Sequence, residues 1–249
     1  MAVKIIKKVF KKLCPPLILD IYRKLILRQK EIVLFDYQGV KPPFYMSRLH
    51  NTKFSQIHEK WTNLDTHINR DSNVTRLRVY TICQFAKLTL NNTNSGAFLT
   101  AGVSFGTSAL ITSEYLNLEK FERDYYLIDP FDGSTTAAVK GLNSYNTDFD
   151  LVKSRWNNKI STFWIRNFLS PEIILDIPAL GFVHLNTGDF ESELNCISIL
   201  YQKLIPGGFI ILDIYGWLSI EKQKAIDSIL DKIGATSFVC ISRQLVISK

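Results

Sequence analysis

From residue 97 onward, short apolar runs alternate with helical stretches five times in succession, and few folds accommodate that order. The runs are Phe98–Ala101, Tyr125–Ile128, Ser161–Ile165, Leu180–Leu185 and Phe209–Asp213. Helical periodicity follows Thr107–Ser108, spans Asp148 to Trp156 and Phe190 to Leu204, and returns from Glu221 to Ile233. Ser170–Pro171 opens a brief further helix, with serine as N-cap and proline in the first turn. Alternation of this kind builds a parallel sheet with helices on both faces. After Gly234, the runs Thr236–Ile241 and Gln244–Ser248 lie close enough to pair as a hairpin, which adds an antiparallel strand.

The first run ends in a glycine turn, Gly102-Val-Ser-Phe-Gly106, and a helix begins at Thr107–Ser108. A strand, a glycine turn and a helix N-terminus present backbone N–H groups and the positive end of a helix dipole to a ligand. The glycines are expected there because a Cβ would hold that ligand off the backbone. The second run ends in Asp129. An acid at the next strand end suits the hydroxyls of a ribose lying across the strand ends.

The 249 residues, 46% of them hydrophobic, suffice for one domain with an appendage. No apolar run approaches the ~20 residues of a membrane span, and lysines interrupt the N-terminal apolar candidate for a secretory signal. The four cysteines, Cys14, Cys83, Cys196 and Cys240, form no CxxC pair, which fits a reducing cytoplasm better than a disulfide framework or a zinc site.

The net charge of +7 is uneven: residues 1–30 carry +8 and the remainder −1. A nucleic-acid-binding core is therefore disfavoured. Residues 3–13 set lysines against Val3, Ile6, Val9, Phe10 and Leu13 at helical spacing, Pro15–Pro16 interrupts, and Leu17–Leu27 reads as a second helix. Two readings of this basic arm, residues 1–30, stay open. It contacts an anionic membrane surface peripherally through residues 1–28, at the inner face of the membrane, or it packs on the body or on a partner subunit of a homo-oligomer.

Residues 31–96 form a helical and loop cap segment ahead of the domain at 97–249. Within it, residues 31–70 read as irregular, with His50, His58 and His67 expected on the surface or in a substrate loop. Apolar positions at 77, 79, 82, 85, 86 and 88 make residues 73–90 an amphipathic helix, which Asn91–Gly96 ends.

With the motifs in place, the chain resembles a class I S-adenosylmethionine (SAM) methyltransferase. More narrowly it resembles the macrocin O-methyltransferase family, over roughly residues 70–235. The resemblance rests on the entry helix Arg76-Leu-Arg-Val-Tyr80, the loop Ala101-Gly-Val-Ser-Phe-Gly-Thr-Ser108 and the segment Ile128-Asp-Pro-Phe-Asp-Gly133. It continues through Phe182-Val-His-Leu-Asn-Thr-Gly-Asp-Phe-Glu-Ser192 and Leu204-Ile-Pro-Gly-Gly-Phe-Ile-Ile-Leu-Asp-Ile-Tyr-Gly216. It implies a Rossmann-like α/β sheet, mostly parallel with an antiparallel C-terminal hairpin. It also implies SAM held by Thr100, Gly102, Gly106, Ser108 and Asp129, and methylation of a hydroxyl on a small-molecule or glycan acceptor such as a sugar or secondary metabolite.

The departures fall on the chemistry. The family holds a divalent metal with acids where this chain has Asn186 and Asp213–Ile214, its second loop acid is here Gly188, and its loop Glu is Thr100. An amide and one carboxylate, Asn186 and Asp213, make a poor Mg²⁺ site, and Asp189 is the nearby acid that could replace the lost one. His184 and Asp213, on adjacent strand ends, are the candidates for orienting and deprotonating the acceptor.

Two alternatives remain: a methyltransferase-like structural or binding protein without catalysis, and a metal-independent enzyme. The glycine turn also reads as a G-x-S-x-G nucleophile elbow around Ser104. That reading needs strands before the elbow and a histidine at the end of the fold, and neither is present.

Overall fold

The computed structural model describes residues 52–63, 73–132 and 148–249, all within one unit running from Leu49 to Lys249. The basic arm, His50 and His67 lie outside the described residues. Two helices come first, α1 (Lys53–Asn63) and α2 (Asn73–Asn92), followed by β1 (Ala97–Ala101), α3 (Thr107–Leu116) and β2 (Tyr125–Ile128). Then come α4 (Phe149–Ser154), β3 (Thr162–Ile165), α5 (Pro171–Asp176), β4 (Leu180–Leu185) and α6 (Phe190–Lys203). The chain closes with β5 (Leu204–Leu212), α7 (Ile220–Ile233), β6 (Thr236–Val239) and β7 (Leu245–Ser248).

The seven strands form one sheet in the order β3-β2-β1-β4-β5-β7-β6. β1 to β5 are parallel, and β7 pairs antiparallel with both β5 and β6. Alternation along each strand divides the core into two layers. Phe98, Tyr125, Leu127, Phe182, Ile211 and Val246 face Ile82 and Ala86 of α2 and Ala109 and Leu110 of α3. Leu99, Ile128, Val183, Leu185, Ile210 and Ile247 face α5, α6 and α7, through Ile174, Ile197, Leu200, Ile226 and Leu230.

Local chemistry sets the helix ends. Ser170, Asp189 and Ser219 cap α5, α6 and α7 by accepting from backbone N–H groups one turn in, and Gly234 ends α7 at φ 63.

Two expectations fail here. Within the span read as irregular, α1 forms, because Phe54, Ile57 and Trp61 fall on one helical stripe. Phe54 packs its ring on Tyr80 (5.0 Å) and Tyr115 (5.9 Å), and His58, expected at the surface, is buried beside it. The fifth strand, expected from Phe209, already begins at Leu204, so Pro206–Gly208 is part of β5. There the ladder extends to Leu204 opposite Leu180, and Gly207 N donates to Lys249 O (2.7 Å). Proline lacks only a donor, and at the margin of a sheet that loss is tolerated.

Candidate functional site

Strand order reverses direction between β1 and β4. In an open α/β sheet a ligand binds in the crevice beyond the carboxyl ends at such a point. A narrow cleft lies there, lined by Gly102, Asp129, Pro130, Asn167, Phe168, Thr187 and Asp189, among others. Asn167 and Phe168, on the loop after β3, carry no motif and were invisible to the sequence reading.

Asp129 follows β2 directly and forms part of the cleft wall while only 3% exposed. Ser104 N donates to its Oδ2 (2.9 Å) and Phe131 N to its Oδ1 (2.8 Å). Burial pushes the carboxyl above the ordinary carboxylate range, and the amides of Ser104, Phe131 and Val103 offset part of that rise. A carboxylate has about four lone-pair sites, so these amides leave capacity for further donors such as a ribose diol.

The fold itself requires both glycines. At Gly102 (φ +82) a Cβ would lie 2.1 Å from the Asn186 carbonyl oxygen, because the chain leaving β4 crosses the end of β1. At Gly106 (φ +81) it would meet Val152 of α4 at 3.0 Å. At both positions a Cβ is opposed by the protein itself. Gly106 caps α3 without a side-chain acceptor, and Ser108 stands half-buried in the first turn. Thr100 is placed apart from the cleft contacts: it is buried, and its hydroxyl pairs with that of Tyr125 at 2.9 Å.

The structure does bring His184 and Asp213 together, with Nε2 3.9 Å from Oδ2. That is too long for a hydrogen bond, and neither ring nitrogen of His184, 1% exposed, has a partner among the described residues. Asp213 is fully engaged. Arg78 of α2 reaches it with Nε to Oδ1 (3.3 Å) and Nη2 to Oδ2, and Nη2 also donates to its backbone carbonyl (3.3 Å). Gln244 Nε2 donates to Oδ1 as well. Burial alone would raise the Asp213 carboxyl, yet His184 and the Arg78 guanidinium together outweigh it and hold the group below the usual carboxylate range.

Arg78 and Gln244 escaped the sequence reading. The available signal was an arginine four residues before the core residue Ile82, on the buried stripe of an amphipathic helix.

Asp189, the nearby acid considered for metal, is spent as the N-cap of α6: its Oδ1 accepts from Glu191 N (3.2 Å) and its Oδ2 from Ser192 Oγ (2.7 Å). Asn186 is half-buried at the exit of β4, where its N donates to Ala101 O (2.9 Å). Among the described residues no three His, Cys, Asp or Glu side chains gather to hold a metal ion.

Glu193 is a further acid the sequence did not flag. Buried in α6, its Oε1 accepts from both Thr187 N (2.8 Å) and Thr187 Oγ1 (2.8 Å), which ties down the cleft-lining loop after β4. Burial pushes its carboxyl up to about 7, with Asp213 and Asp189 adding to the rise and Thr187 opposing it. The folded protein thus holds a proton that the unfolded chain releases near the ordinary glutamate value, about 4.3. Stability should therefore fall as pH rises from about 4.5 to about 7. Glu193→Gln keeps the Thr187 hydrogen bonds and should flatten that part of the curve in thermal melts across pH. An unchanged slope in the variant would place the titration elsewhere.

This sheet order, with an antiparallel β7 inserted between β5 and β6 and helices on both faces, is the Rossmann-like fold of class I methyltransferases. Solved structures agree. The O-methyltransferase NovP superposes with a TM-score of 0.55 at 17% identity, over 69% of this chain and 79% of its own. CalS11, a TDP-rhamnose 3′-O-methyltransferase of calicheamicin biosynthesis, gives 0.50 at 10% identity over 80% and 96%. The SAH-bound methyltransferase PaMTH1 of Podospora anserina gives 0.50 at 8% over 85% and 96%. No family model matches the sequence, and no curated protein matches it.

Proposed function

We propose that the chain is a SAM-dependent methyltransferase acting on an oxygen of a small-molecule or glycan acceptor, within the macrocin O-methyltransferase-like group that its motifs resemble. The observation that carries this reading is Asp129, a buried acid with lone pairs to spare. It lies on the cleft at the switch point of a sheet in methyltransferase order.

SAM when bound supplies a methyl group activated on a sulfonium. The chain's part is to bind and orient. Asp129 takes the ribose hydroxyls, and the N-terminal turn of α3, at Gly106 and Ser108, offers amides to a carboxylate. Asn167 and Phe168 border the adjoining part of the cleft. His184, with no hydrogen-bond partner on either nitrogen among the described residues, takes the acceptor proton, and Asp213 faces the resulting imidazolium across 3.9 Å.

Calorimetric titration of SAM and of S-adenosylhomocysteine (SAH) tests the binding half of this reading. Saturable binding is expected, and Asp129→Ala should weaken it by about ten- to a hundredfold, as for loss of hydrogen bonds to a charged group. Asp129→Asn should show the same trend with less disturbance to the Ser104 and Phe131 amides. Absence of saturable binding by the parent protein would end the methyltransferase reading. Release of SAH with sugar or phenolic acceptors then tests turnover.

We further propose that the basic arm contacts an anionic membrane surface, since residues 1–30 carry +8 against −1 elsewhere. No described helix is long and apolar enough to cross a membrane. In flotation with anionic vesicles the full chain should partition more strongly than one lacking residues 1–28, and equal partitioning would refute the contact.

A further inference from the structure

The resemblance implies a divalent cation at Asn186 and Asp213, and the residues do not fit one. Asn186 brings an amide in place of a carboxylate, and Asp189 is consumed as a helix cap. The remaining acid already has a cation. The Arg78 guanidinium lies on both Asp213 oxygens, and Gln244 fills a further lone pair. Mg²⁺ demands near-octahedral oxygen coordination at about 2.0–2.1 Å and sheds its waters reluctantly. To bind here it would have to displace a buried, fork-shaped arginine contact that costs far more to break than an exposed pair.

We propose that Arg78 stands where a metal ion would otherwise be needed, so that this site works with a fixed guanidinium and no divalent cation. Arg78 is suited to the task. Its charge is permanent, its side chain keeps 22% of its surface exposed, and Nη1 makes no hydrogen bond among the described residues. It positions Asp213 opposite His184, and the pair does so without a metal's coordination geometry. A sequence that lost its metal acids by drift alone gives no reason for an arginine 135 residues away to meet the surviving one.

The inference rests on the methyltransferase reading only for what the site does. Its test reads metal directly, so the two can fail separately: the reading fails if SAM and SAH do not bind, and the inference fails if a metal binds at Asp213. The full chain is titrated with Mn²⁺ and followed by electron paramagnetic resonance, beside Asp213→Asn. Expected is either no saturable Mn²⁺ site or one that survives Asp213→Asn unchanged. A saturable site that the substitution removes would overturn the inference.

Should the variant not fold, the side-chain amide signals of Gln244 in the parent protein decide. They should persist in Mn²⁺, whereas an ion on Asp213 would broaden them beyond detection.

Discussion

Gly102→Ala should abolish folding or cost about 4–5 kcal/mol, at the far end of single-substitution effects. Two penalties coincide. The backbone at 102 sits at φ +82, where an L-residue is strained, and the new Cβ would lie 2.1 Å from the Asn186 carbonyl oxygen and 2.6 Å from Thr187 N. Those atoms are main chain at the end of β4, itself buried and paired on both sides, so they cannot step aside.

Gly106→Ala provides the internal comparison. Its φ is the same within a degree, yet its nearest obstacle is a side-chain methyl of Val152 at 3.0 Å, which needs to give by only a few tenths of an ångström. Its cost should stay near 1–2 kcal/mol, mostly backbone strain. Urea denaturation of both variants measures the difference. A Gly102→Ala protein within about 1 kcal/mol of the parent would mean that the β4 exit does not cross β1 as described.

Arg78→Ala should be the most damaging change among the charged residues of the site, at about 3–5 kcal/mol, the usual cost of stranding a buried charge. Asp213 is 6% exposed on its side chain and would keep only Gln244 as a donor and His184 as a neighbour. The size of the loss should depend on pH. In the parent, the Asp213 carboxyl is held below its ordinary value, so its contribution is present above the unfolded pKa and is lost as pH falls through the folded one.

Without the guanidinium, burial is opposed by His184 alone, and the carboxyl's pKa rises from its depressed position. The variant therefore keeps less of that contribution near neutrality. The gap between parent and variant should be smallest in acid and widest near neutrality. Melting curves across pH test this, and a gap independent of pH would mean that Arg78 acts by packing alone.

What the sequence determined is what depends on neighbours in the chain. Alternating apolar runs and helical stripes placed β1 to β5 and α2, α3, α6 and α7. Capping residues such as Ser170 and the closing Gly234 marked the helix ends, because a cap bonds N–H groups within one turn of itself. A mostly parallel sheet with helices on both faces followed, since right-handed crossovers leave few arrangements, while the order of the strands came from the fold. Asp129 was legible for the same reason: a strand end is a local feature, and an acid there is conspicuous.

Tertiary structure decided the rest, because those properties join residues with no sequence relation. Only the fold shows that the β4 exit occupies the missing Cβ of Gly102. Only the fold shows that Tyr125 takes the hydroxyl of Thr100. His58 reads as a loop residue until Phe54 and Ile57 carry its helix into the core. Asp213 reads as half of a broken metal site until Arg78 reaches it from α2 and Gln244 from beside β7. Periodicity shows which face of a helix is buried, but only the folded sheet shows which charge that face brings to which acid.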